Sequence, residues 1–473
     1  MKKRGRKFGR KRSPSGQSGP QFPEQPADGR MLAWCVLKEH DESGRFVSDI
    51  LSDMDSRHAV DSRERGLAVD VTSGVIRRRR TIDTLLESQI SRPRAYVEPE
   101  LWRLLQLGVY QIVFSDTPVH AAVDTTVELA KQVGCARWCS FANGVLRNVV
   151  RLLSDERTDR PAADAVPLNA EFLKLTQPIF ADPGTNLPEY VGQAWSLPRV
   201  LAQRWSTNFS YHDLLTICRY SLQIPSPSLR VNRLRSTVHA VQQALEEAGI
   251  SVTPGRNDWS LRLGHAAQIT GLPGYEQGWW SVQDESALQA SELLDPQPGE
   301  RILDLCAAPG GKTTHLAELS GDEAFITACD VSDRRLSRVE DSVSRLQLKN
   351  VQTVVIGRDG TGIPEEPYDA VLVDVPCSNT GVLARRPEAR WRFRDADLTE
   401  LVQLQTRLLL TAYEKVRSGG RIVYSTCSIE PEETTQLAES VERQVSGLTL
   451  ESQMLSLPGK PGDGAFRALL RRC

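Results

Sequence analysis

An alternation of short apolar segments and amphipathic segments, beginning near residue 283, constrains the fold most strongly. Strands alternating with helices predict a parallel, doubly wound sheet. The predicted strands are Arg301–Leu305, Phe325–Cys329, Val351–Ile356, Ala370–Val373 and Arg421–Tyr424, and the predicted helices are Lys312–Leu319, Arg334–Leu346 and Leu398–Val416. Ligands of such sheets bind outside the carboxyl ends of the strands. The residues that follow each strand are therefore the candidate site residues.

The turn after the first predicted strand, LDLCAAPGGKTTHLAEL, has the outline of a phosphate-binding loop. That loop needs G-x-x-x-x-G-K-[ST], because its first glycine lets the backbone curl around the phosphates. Cys306 stands at that position, and a cysteine adopts positive φ only at a cost, which disfavours an ATP-dependent enzyme that uses Lys312. The dinucleotide fingerprint G-x-G-x-x-G also fails, because Gly310 and Gly311 are adjacent. A strand-to-helix turn for another ligand remains.

Acidic residues follow the second and third predicted strands. Asp330 could accept hydrogen bonds from ribose hydroxyls, as an acid at this position commonly does, or it could cap a helix. Asp359 could meet an adenine edge or be a turn residue. A loop without the phosphate-cradling glycines, followed by acidic strand ends, favours S-adenosylmethionine, which carries hydroxyls and positive charge but no phosphate.

Two cysteines follow the fourth and fifth predicted strands, Cys377 in VDVPCSNTG and Cys427 in YSTCSIEPEE. We expect both thiols to face one crevice, because strand carboxyl ends line the ligand site in this architecture rather than the core. A thiolate that adds to C6 of a pyrimidine makes C5 able to take a methyl group from a sulfonium, which is covalent catalysis. A second group must then remove the C5 proton, and Asp374 could hydrogen-bond the N3/N4 edge of the base.

Three motifs, DLCAAPGGKT, DVPCSNTG and STCSIEPEE, resemble in order those of the two-cysteine RNA cytosine-5 methyltransferases. Other segments resemble the RsmB (Sun/Fmu) group, which methylates a cytosine of 16S ribosomal RNA. They are TPVHAAVDTTVELAK and FANGVLRNVVR for a NusB-like domain, LPEYVGQAWSLPRVLAQRW and PSLRVNRLR for a connecting RNA-binding module, and GWWSVQDESALQA for the start of the catalytic domain. The resemblance covers roughly residues 30 to 470.

The resemblance also implies a role for each site residue. Cys427 would be the nucleophile that attacks C6, Cys377 the thiol needed for product release, and Asp374 the carboxylate that orients the base. S-adenosylmethionine would be held by Cys306, Ala307, Ala308, Pro309, Gly310, Gly311, Lys312, Asp330, Asp359 and Asp374. No metal is implied. The chain departs from the pattern at Ser378-Asn379, where many members carry Ser-Gly or Ser-Ala, and at Ala465, which replaces an aromatic residue.

The rest of the chain predicts further domains. Helical periodicity predicts an all-α, NusB-like RNA-binding domain over 30–156, in which Arg77–Arg80 could contact RNA phosphates or form a solvated helix face. The proline-rich segment 157–185 predicts a linker, 186–270 a small α+β RNA-recognition module, and 271–473 the Rossmann-like catalytic domain. The composition of residues 1–29 predicts a disordered basic tail, either an RNA-binding arm or a solubilising extension.

Composition excludes other classes. No apolar run reaches the length of a membrane span and no secretory signal is visible, so we expect a cytoplasmic protein. The nine cysteines include no C-x-x-C pair, which argues against a disulfide framework and a zinc site. We expect a monomer that acts on 16S rRNA, naked or in a pre-30S particle. Action on tRNA or another rRNA site stays open; an inert RNA-binding scaffold is disfavoured by the presence of both cysteines with Asp374.

Overall fold

The computed structural model describes residues 20, 26, 28–57, 61–264, 269–358 and 360–473, and only the backbone for 55–57. Most of the predicted basic tail, and Asp359, lie outside the described residues. Within these ranges, no helix is both long enough and apolar enough to cross a membrane. The chain divides into two compact units. The first comprises the chain up to Val75 and Ile82–Leu153, and the second comprises Ile76–Thr81 and Ser154–Cys473.

The first unit is helical, as the periodicity predicted. Its helices are α1 (Gly29–Ser43), α2 (Val47–Arg57), α3 (Ser62–Arg77, whose last turn belongs to the second unit), α4 (Arg79–Gln89), α5 (Pro99–Phe114), α6 (Val119–Gln132) and α7 (Cys139–Leu152). Asp28 caps α1 by accepting the N–H groups of Arg30 and Met31, and Gly44 ends it at a φ of 68°, which favours glycine. Every residue of α5 from Leu101 to Val113 is buried, so this helix lies at the centre of the unit.

The Arg77–Arg80 segment is packed within the second unit. Arg77 Nη2 donates to the Ala384 carbonyl at 2.9 Å, and Arg78 Nη1 donates to the Pro167 carbonyl at 2.5 Å. Both side chains are buried. Arg77 and Arg78 therefore neither contact RNA nor form a solvated helix face. Their guanidinium groups donate hydrogen bonds to buried backbone carbonyls.

The second unit begins with a small three-stranded sheet. Its strands are β1 (Leu153–Thr158), β2 (Ala165–Pro167) and β3 (Phe172–Leu175), in the order β1-β3-β2. The segment 157–185, predicted as a linker, therefore contains strands. Its proline content concealed them, since Pro167 forms the end of β2 and donates no N–H to the ladder.

An α+β module follows, as predicted. It contains α8 (Leu187–Ala194), α9 (Arg199–Asn208), α10 (Tyr211–Ser221), β4 (Ser228–Val231), α11 (Val238–Glu247), β5 (Val252–Pro254), β6 (Ser260–Leu263) and β7 (Trp280–Val282). The strands form a sheet in the order β5-β6-β4-β7. Since β7 lies beyond residue 270, the module takes its last strand from the segment assigned to the catalytic domain.

The largest sheet carries the candidate site. Its elements are α12 (Glu285–Leu294), β8 (Arg301–Leu305), α13 (Gly311–Leu319), β9 (Phe325–Asp330), α14 (Asp333–Leu346), β10 (Val351–Val355), β11 (Tyr368–Asp374), α15 (Ala389–Arg392), α16 (Asp395–Lys415), β12 (Val416–Thr426), α17 (Thr435–Gln444), β13 (Leu448–Ser456) and β14 (Ala465–Arg472). The strand order is β10-β9-β8-β11-β12-β14-β13. The sheet is mixed rather than wholly parallel, because β14 pairs antiparallel with both β12 and β13.

The order of the parallel strands reverses between β8 and β11, which places the ligand crevice at their carboxyl ends. Val373 of β11 pairs with Leu305 of β8 and with Tyr424 of β12, so these three strands end at the same level. Both faces are covered: successive residues Val371 and Leu372 belong to separate buried clusters. This two-sided burial explains the continuous apolar sequence of the strands.

Candidate active site

The two strand-end cysteines meet in the crevice. Sγ of Cys377 lies 3.1 Å from Sγ of Cys427, and both side chains are half-buried. Cys427 directly follows β12 and Cys377 lies just beyond β11, where Asp374 pairs in register with Ser425 of the neighbouring strand. All nine cysteines are free thiols, and only this pair is bridged by a sulfur–sulfur hydrogen bond in the described residues.

The contact between the two thiols changes the acidity of each. The hydrogen bond with Cys427 lowers the pKa of Cys377. The same hydrogen bond, together with burial and the charge of Asp374, raises the pKa of Cys427 well above its ordinary value. The two thiols therefore titrate as a pair, and Cys427 must lose its proton before it can act as a nucleophile.

A buried carboxylate joins the loops that carry the two cysteines. Oε1 of Glu433 accepts the backbone N–H of Ser378 at 3.0 Å and the side-chain amide of Gln405 at 2.8 Å. The Ser378 hydroxyl donates to the other carboxylate oxygen. Glu433 is fully buried, so its charge is satisfied entirely by these donors and others inside the protein. The sequence motif contained Glu433, but no local pattern showed which loop it would hold.

Gly381 allows three backbone segments to meet beside Cys427. Its N–H donates to the Cys427 carbonyl at 2.9 Å, and its carbonyl accepts the N–H of Gly464 at 2.8 Å. A Cβ atom at this position would lie 2.5 Å from the Gly464 oxygen and 2.7 Å from the Cys427 oxygen. Only glycine permits this close approach, which fixes the position of the loop that carries Cys427.

The turn after β8 corrects one premise of the sequence analysis. Cys306 has a φ of 65°, so it adopts the left-handed conformation that was judged too costly for a cysteine. That conformation costs about 1 to 2 kcal/mol, and the surrounding turn maintains it. Gly310 has a φ of 100°, and the Ala308–Pro309 peptide is cis. Lys312 Nζ donates to Asp374 Oδ2 at 2.7 Å, so the lysine is engaged by a carboxylate of the adjacent strand.

The other residues of the turn after β8 differ in whether their side chains face the crevice. Ala307 and Ala308 are buried in an apolar cluster with Leu336 and Val339, so their side chains pack rather than face the crevice. Pro309 is exposed, and Gly311 begins α13. Backbone groups, rather than side chains, are therefore what most of this turn offers to a ligand.

Asp304 lies behind the turn and was missed by the sequence analysis. It is fully buried within β8, and Thr313 Oγ1 donates to its Oδ2 at 2.6 Å. Burial raises the pKa of Asp304 to about 7. Thr313, which resembled part of a phosphate loop, instead anchors α13 to β8. The local sequence around a buried carboxylate in an apolar strand does not differ from that around an acidic residue at a strand end. The sequence therefore did not show that Asp304 is buried.

Asp330 fits a nucleoside-containing cofactor. Its carboxylate is buried at the end of β9, where Oδ1 accepts the N–H of Ser332 at 3.1 Å and Nη1 of Arg335 at 3.2 Å. Its Oδ2 lies 3.2 Å from the same Nη1 in an ion pair but is buried without a hydrogen bond, so it can still accept from a ligand hydroxyl. Ser332, rather than Asp330, is the N-cap residue of α14. Among the described residues, no group of three or more His, Cys, Asp or Glu side chains could hold a metal ion.

Helix α9 of the α+β module holds the loop after Cys427. Arg204 Nε donates to Glu430 Oε2 at 2.9 Å, and Trp205 Nε1 donates to Glu430 Oε1 at 2.9 Å. Glu430 is fully buried, and burial raises its pKa. The second nitrogen of the arginine fork contacts Glu432 at 2.7 Å. Glu430 and Glu432, three and five residues after the nucleophile candidate, are thus held by a helix of another module.

Strand β4 of the same module holds the cofactor turn. Arg230 is fully buried and forms a two-point ion pair with Glu318 of α13, at 2.9 and 2.7 Å. Its Nη1 also donates to the Gly311 carbonyl at 2.7 Å. The segment PSLRVNRLR resembled an RNA-binding element, yet this arginine has no surface to offer RNA.

Fold and site together define a class: an α/β enzyme with a crevice for a nucleoside-containing ligand, a pair of thiols at that crevice, and an N-terminal helical domain. Comparison with protein families agrees. Residues 291–460 match the family described as 16S rRNA methyltransferase RsmB/F. Residues 28–151 match the NusB family, and residues 197–270 match the ferredoxin-like domain of RsmF/B-like methyltransferases.

Relatives that match this chain over most of its length identify its family. The chain is 34% identical over 454 residues to ribosomal RNA small subunit methyltransferase B of Cronobacter sakazakii, covering 93% of this chain and 98% of that protein. It is 35% identical over 409 residues to the probable ribosomal RNA small subunit methyltransferase B of Synechocystis, covering 85% and 86%. The chain belongs to this family of RNA methyltransferases.

Solved structures share the fold. The crystal structure of PH0851 superposes with a TM-score of 0.74 at 25% identity, covering 95% of this chain and 99% of that chain. The structure of NSun6 from Pyrococcus horikoshii with SFG has a TM-score of 0.53 at 20% identity, covering 58% and 98%. The first likeness extends over nearly the whole chain, including the helical domain.

Proposed function

We propose that this protein methylates C5 of a cytosine in 16S ribosomal RNA, with S-adenosylmethionine as the methyl donor and a covalent bond between Cys427 and C6 as the intermediate. The observation that carries the proposal is the pair of thiols, 3.1 Å apart, at strand ends that also present Asp374. The relatives named ribosomal RNA small subunit methyltransferase B support the choice of substrate.

The first step is addition of the Cys427 thiolate to C6 of the base. A bond forms between sulfur and C6, and the electron pair of the C5–C6 double bond moves into the ring, which makes C5 nucleophilic. Asp374 is the carboxylate that would orient the base at its N3/N4 edge, by accepting a hydrogen bond from the N4 amino group. Lys312, at 2.7 Å from Asp374, holds that carboxylate in place and balances its charge.

The cofactor site is formed by the turn Cys306–Lys312 and by Asp330. Asp330 Oδ2, which is buried and lies 3.2 Å from Nη1 of Arg335, would accept a ribose hydroxyl as a further donor. The cofactor, when bound, supplies a methyl group carried on a sulfonium. Asp359 stays a prediction for the adenine edge, since it lies outside the described residues.

Cys377 serves product release. Once C5 carries a methyl group, its proton must leave so that the C5–C6 double bond reforms and expels Cys427 as a thiolate. Cys377 Sγ lies 3.1 Å from the sulfur that forms the adduct, so it is beside the reacting base when the C5 proton must leave. Its position therefore suits a general base for the last step.

Two variants test the mechanism. Cys427→Ala should abolish methylation and leave RNA binding intact, because only the nucleophile is removed. Cys377→Ala should accumulate a covalent protein–RNA adduct, visible as a retarded band on a denaturing gel. Cys139→Ala is a matched control, since it removes another half-buried thiol from the helical unit. Normal turnover by Cys427→Ala would overturn the nucleophile assignment, and a Cys377→Ala protein that releases product without an adduct would overturn the release role.

Substrate choice needs a separate experiment. Bisulfite sequencing of 16S rRNA from cells with and without the gene should reveal one cytosine that loses protection. A site in tRNA or in another rRNA position would instead keep the chemistry and change the substrate. An inert RNA-binding scaffold predicts no methylation by the wild-type protein and no effect of Cys427→Ala.

A further inference from the structure

Asn379 contacts both catalytic loops through its side-chain amide. Its Nδ2 donates to the Cys377 carbonyl at 2.8 Å. Its Oδ1 accepts from Nη1 of Arg386 at 2.9 Å and lies 3.3 Å from Sγ of Cys427, which donates to it. One amide thus touches the backbone of one cysteine and the thiol of the other.

The partners of Asn379 fix which way the amide faces. An arginine can only donate and a backbone carbonyl can only accept, so the oxygen must face Arg386 and the nitrogen must face Cys377. Turning the amide over would replace both hydrogen bonds by repulsive contacts. The oxygen is therefore the atom presented to Cys427, and the Cys427 S–H has two acceptors, Asn379 Oδ1 and Sγ of Cys377.

The charges around Cys427 come from several elements. Asp374 at the end of β11 opposes the thiolate, whereas Arg386, in the loop before α15, favours it. Lys312 at the start of α13 is also within electrostatic range of this thiol. None of these groups accepts a proton from Cys427 in a hydrogen bond, which leaves that role to Asn379 and Cys377.

We propose that Asn379 is a positioning residue that restrains the Cys427 thiol and keeps its proton on sulfur until RNA enters the site. A hydrogen bond donated by the neutral thiol stabilises the protonated form and leaves the thiolate less populated. The same bond holds the sulfur of Cys427 beside the loop that carries Cys377. This role rests on the proposed function of Cys427 as the nucleophile.

Thiol alkylation without RNA tests the proposal. Iodoacetamide labelling is followed from about pH 6 to about pH 10, a range that spans the ordinary ionisation of thiols. Tryptic cleavage at the flanking arginines puts Cys427 and Cys377 on different peptides, so mass spectrometry follows each thiol separately. The midpoint of the rate against pH reports ionisation of Cys427, and the plateau reports its accessibility.

Asn379→Gly removes the amide and retains the backbone. Asn379 has a φ of 60°, a conformation that glycine adopts without strain, so the loop should keep its course. We expect the Cys427 midpoint to move to lower pH, with plateau-normalised labelling below the midpoint about threefold faster, as suits one weak S–H hydrogen bond. A purely structural role would change the plateau and leave the midpoint in place.

Arg386→Gln is the matched comparison for Asn379→Gly, because it should shift the labelling midpoint of Cys427 in the opposite direction. Arg386 is exposed, so its replacement should not disturb the core. The midpoint should move to higher pH, because a cation that favours the thiolate is lost and Asn379 Oδ1 is freed from its competing donor. Opposite movements in the two variants support the proposal.

An unchanged or higher labelling midpoint for Cys427 in Asn379→Gly would overturn the proposed role of Asn379, whatever happens to methylation. Failure of the proposed function would be recognised differently, as methylation by Cys427→Ala, since the labelling assay requires neither RNA nor turnover.

Discussion

Replacing Arg230 by methionine should lower the free energy of unfolding by about 3 to 5 kcal/mol, because it leaves a buried carboxylate without its partner. Arg230 is fully buried and Glu318 nearly so, with the side chain of Glu318 5% exposed. The guanidinium makes two contacts with Glu318, one with the Gly311 carbonyl and one with Thr314 Oγ1 at 3.0 Å. Methionine fills similar volume and satisfies none of these acceptors.

The loss should depend on pH in a defined direction. Burial already raises the pKa of Glu318 in the folded protein, and removal of Arg230 removes the interactions that oppose this rise. A carboxyl group with a raised folded pKa destabilises the fold as pH rises from the unfolded pKa to the folded pKa, since over that range the unfolded chain ionises more readily. The deficit of Arg230→Met should therefore be largest near neutral pH and smaller at mildly acid pH.

Thermal unfolding of the full chain measures the effect. A loss of this size corresponds to a fall in Tm on the order of 5 °C for a unit this large. Arg230→Met/Glu318→Met, which removes both charges, should recover most of the loss, because a well-packed apolar pair commonly replaces a buried ion pair without cost. S-adenosylmethionine affinity should fall in the single variant, since the Gly311 carbonyl at the start of α13 loses its donor.

Two results would refute this reasoning. One is a single variant as stable as wild type at neutral pH, which would mean that Glu318 finds another partner or water. The other is a double variant no more stable than the single one, which would place the loss in packing rather than in the unpaired charge.

Further predictions concern the crevice. Asp330→Ala should weaken S-adenosylmethionine binding about 10- to 100-fold in calorimetry, because a charged acceptor of the cofactor hydroxyls is lost. Gly381→Ala should lower both Tm and methylation, since its Cβ would meet backbone oxygens at 2.5 and 2.7 Å; an unaffected rate would contradict the tight contact. Trp205→Phe removes the donor to Glu430 Oε1 and leaves Arg204 on Oε2, so single-turnover methylation should slow while cofactor affinity, measured in parallel, stays unchanged.

Regular elements of the catalytic sheet were predictable because their sequence signal is local. Apolar runs such as Arg301–Leu305 and Phe325–Asp330 are buried on both faces, and their ends carry acids and cysteines that the topology brings together. Strand β13 was not predicted and is largely exposed, whereas β14 was expected only from the resemblance of GDGAFRALLRRC to the closing strand of the family. Leu448, Leu450 and Leu455 of β13 pack on the core, but a register shift between Leu450 and Ser452 interrupts the alternation that a sequence pattern could detect.

Buried arginines were the least predictable part of the site's surroundings. Arg390 is fully buried, and its nitrogens donate to the carbonyls of Arg77 at 3.0 Å and Ser221 at 2.8 Å, among others. Burial lowers the pKa of Arg390 to about 9. From sequence alone, an arginine is expected at the surface. Full burial requires hydrogen-bond acceptors from distant segments, and here those acceptors are backbone carbonyls, which have no sequence signature.

These internal arginines give the α+β module a catalytic consequence that does not depend on RNA contact. Arg204 reaches the loop after Cys427 through Glu430, and Arg230 reaches the cofactor turn through the Gly311 carbonyl. Buried ion pairs add little net stability relative to apolar packing, so their effect here is better sought in geometry than in free energy of unfolding. Because the module contacts the nucleophile loop and the cofactor turn at separate points, a shift of the module would change the distance between the two reacting groups. For the proposed mechanism, rigid attachment of the module would keep Cys427 and the turn after β8 at a fixed separation.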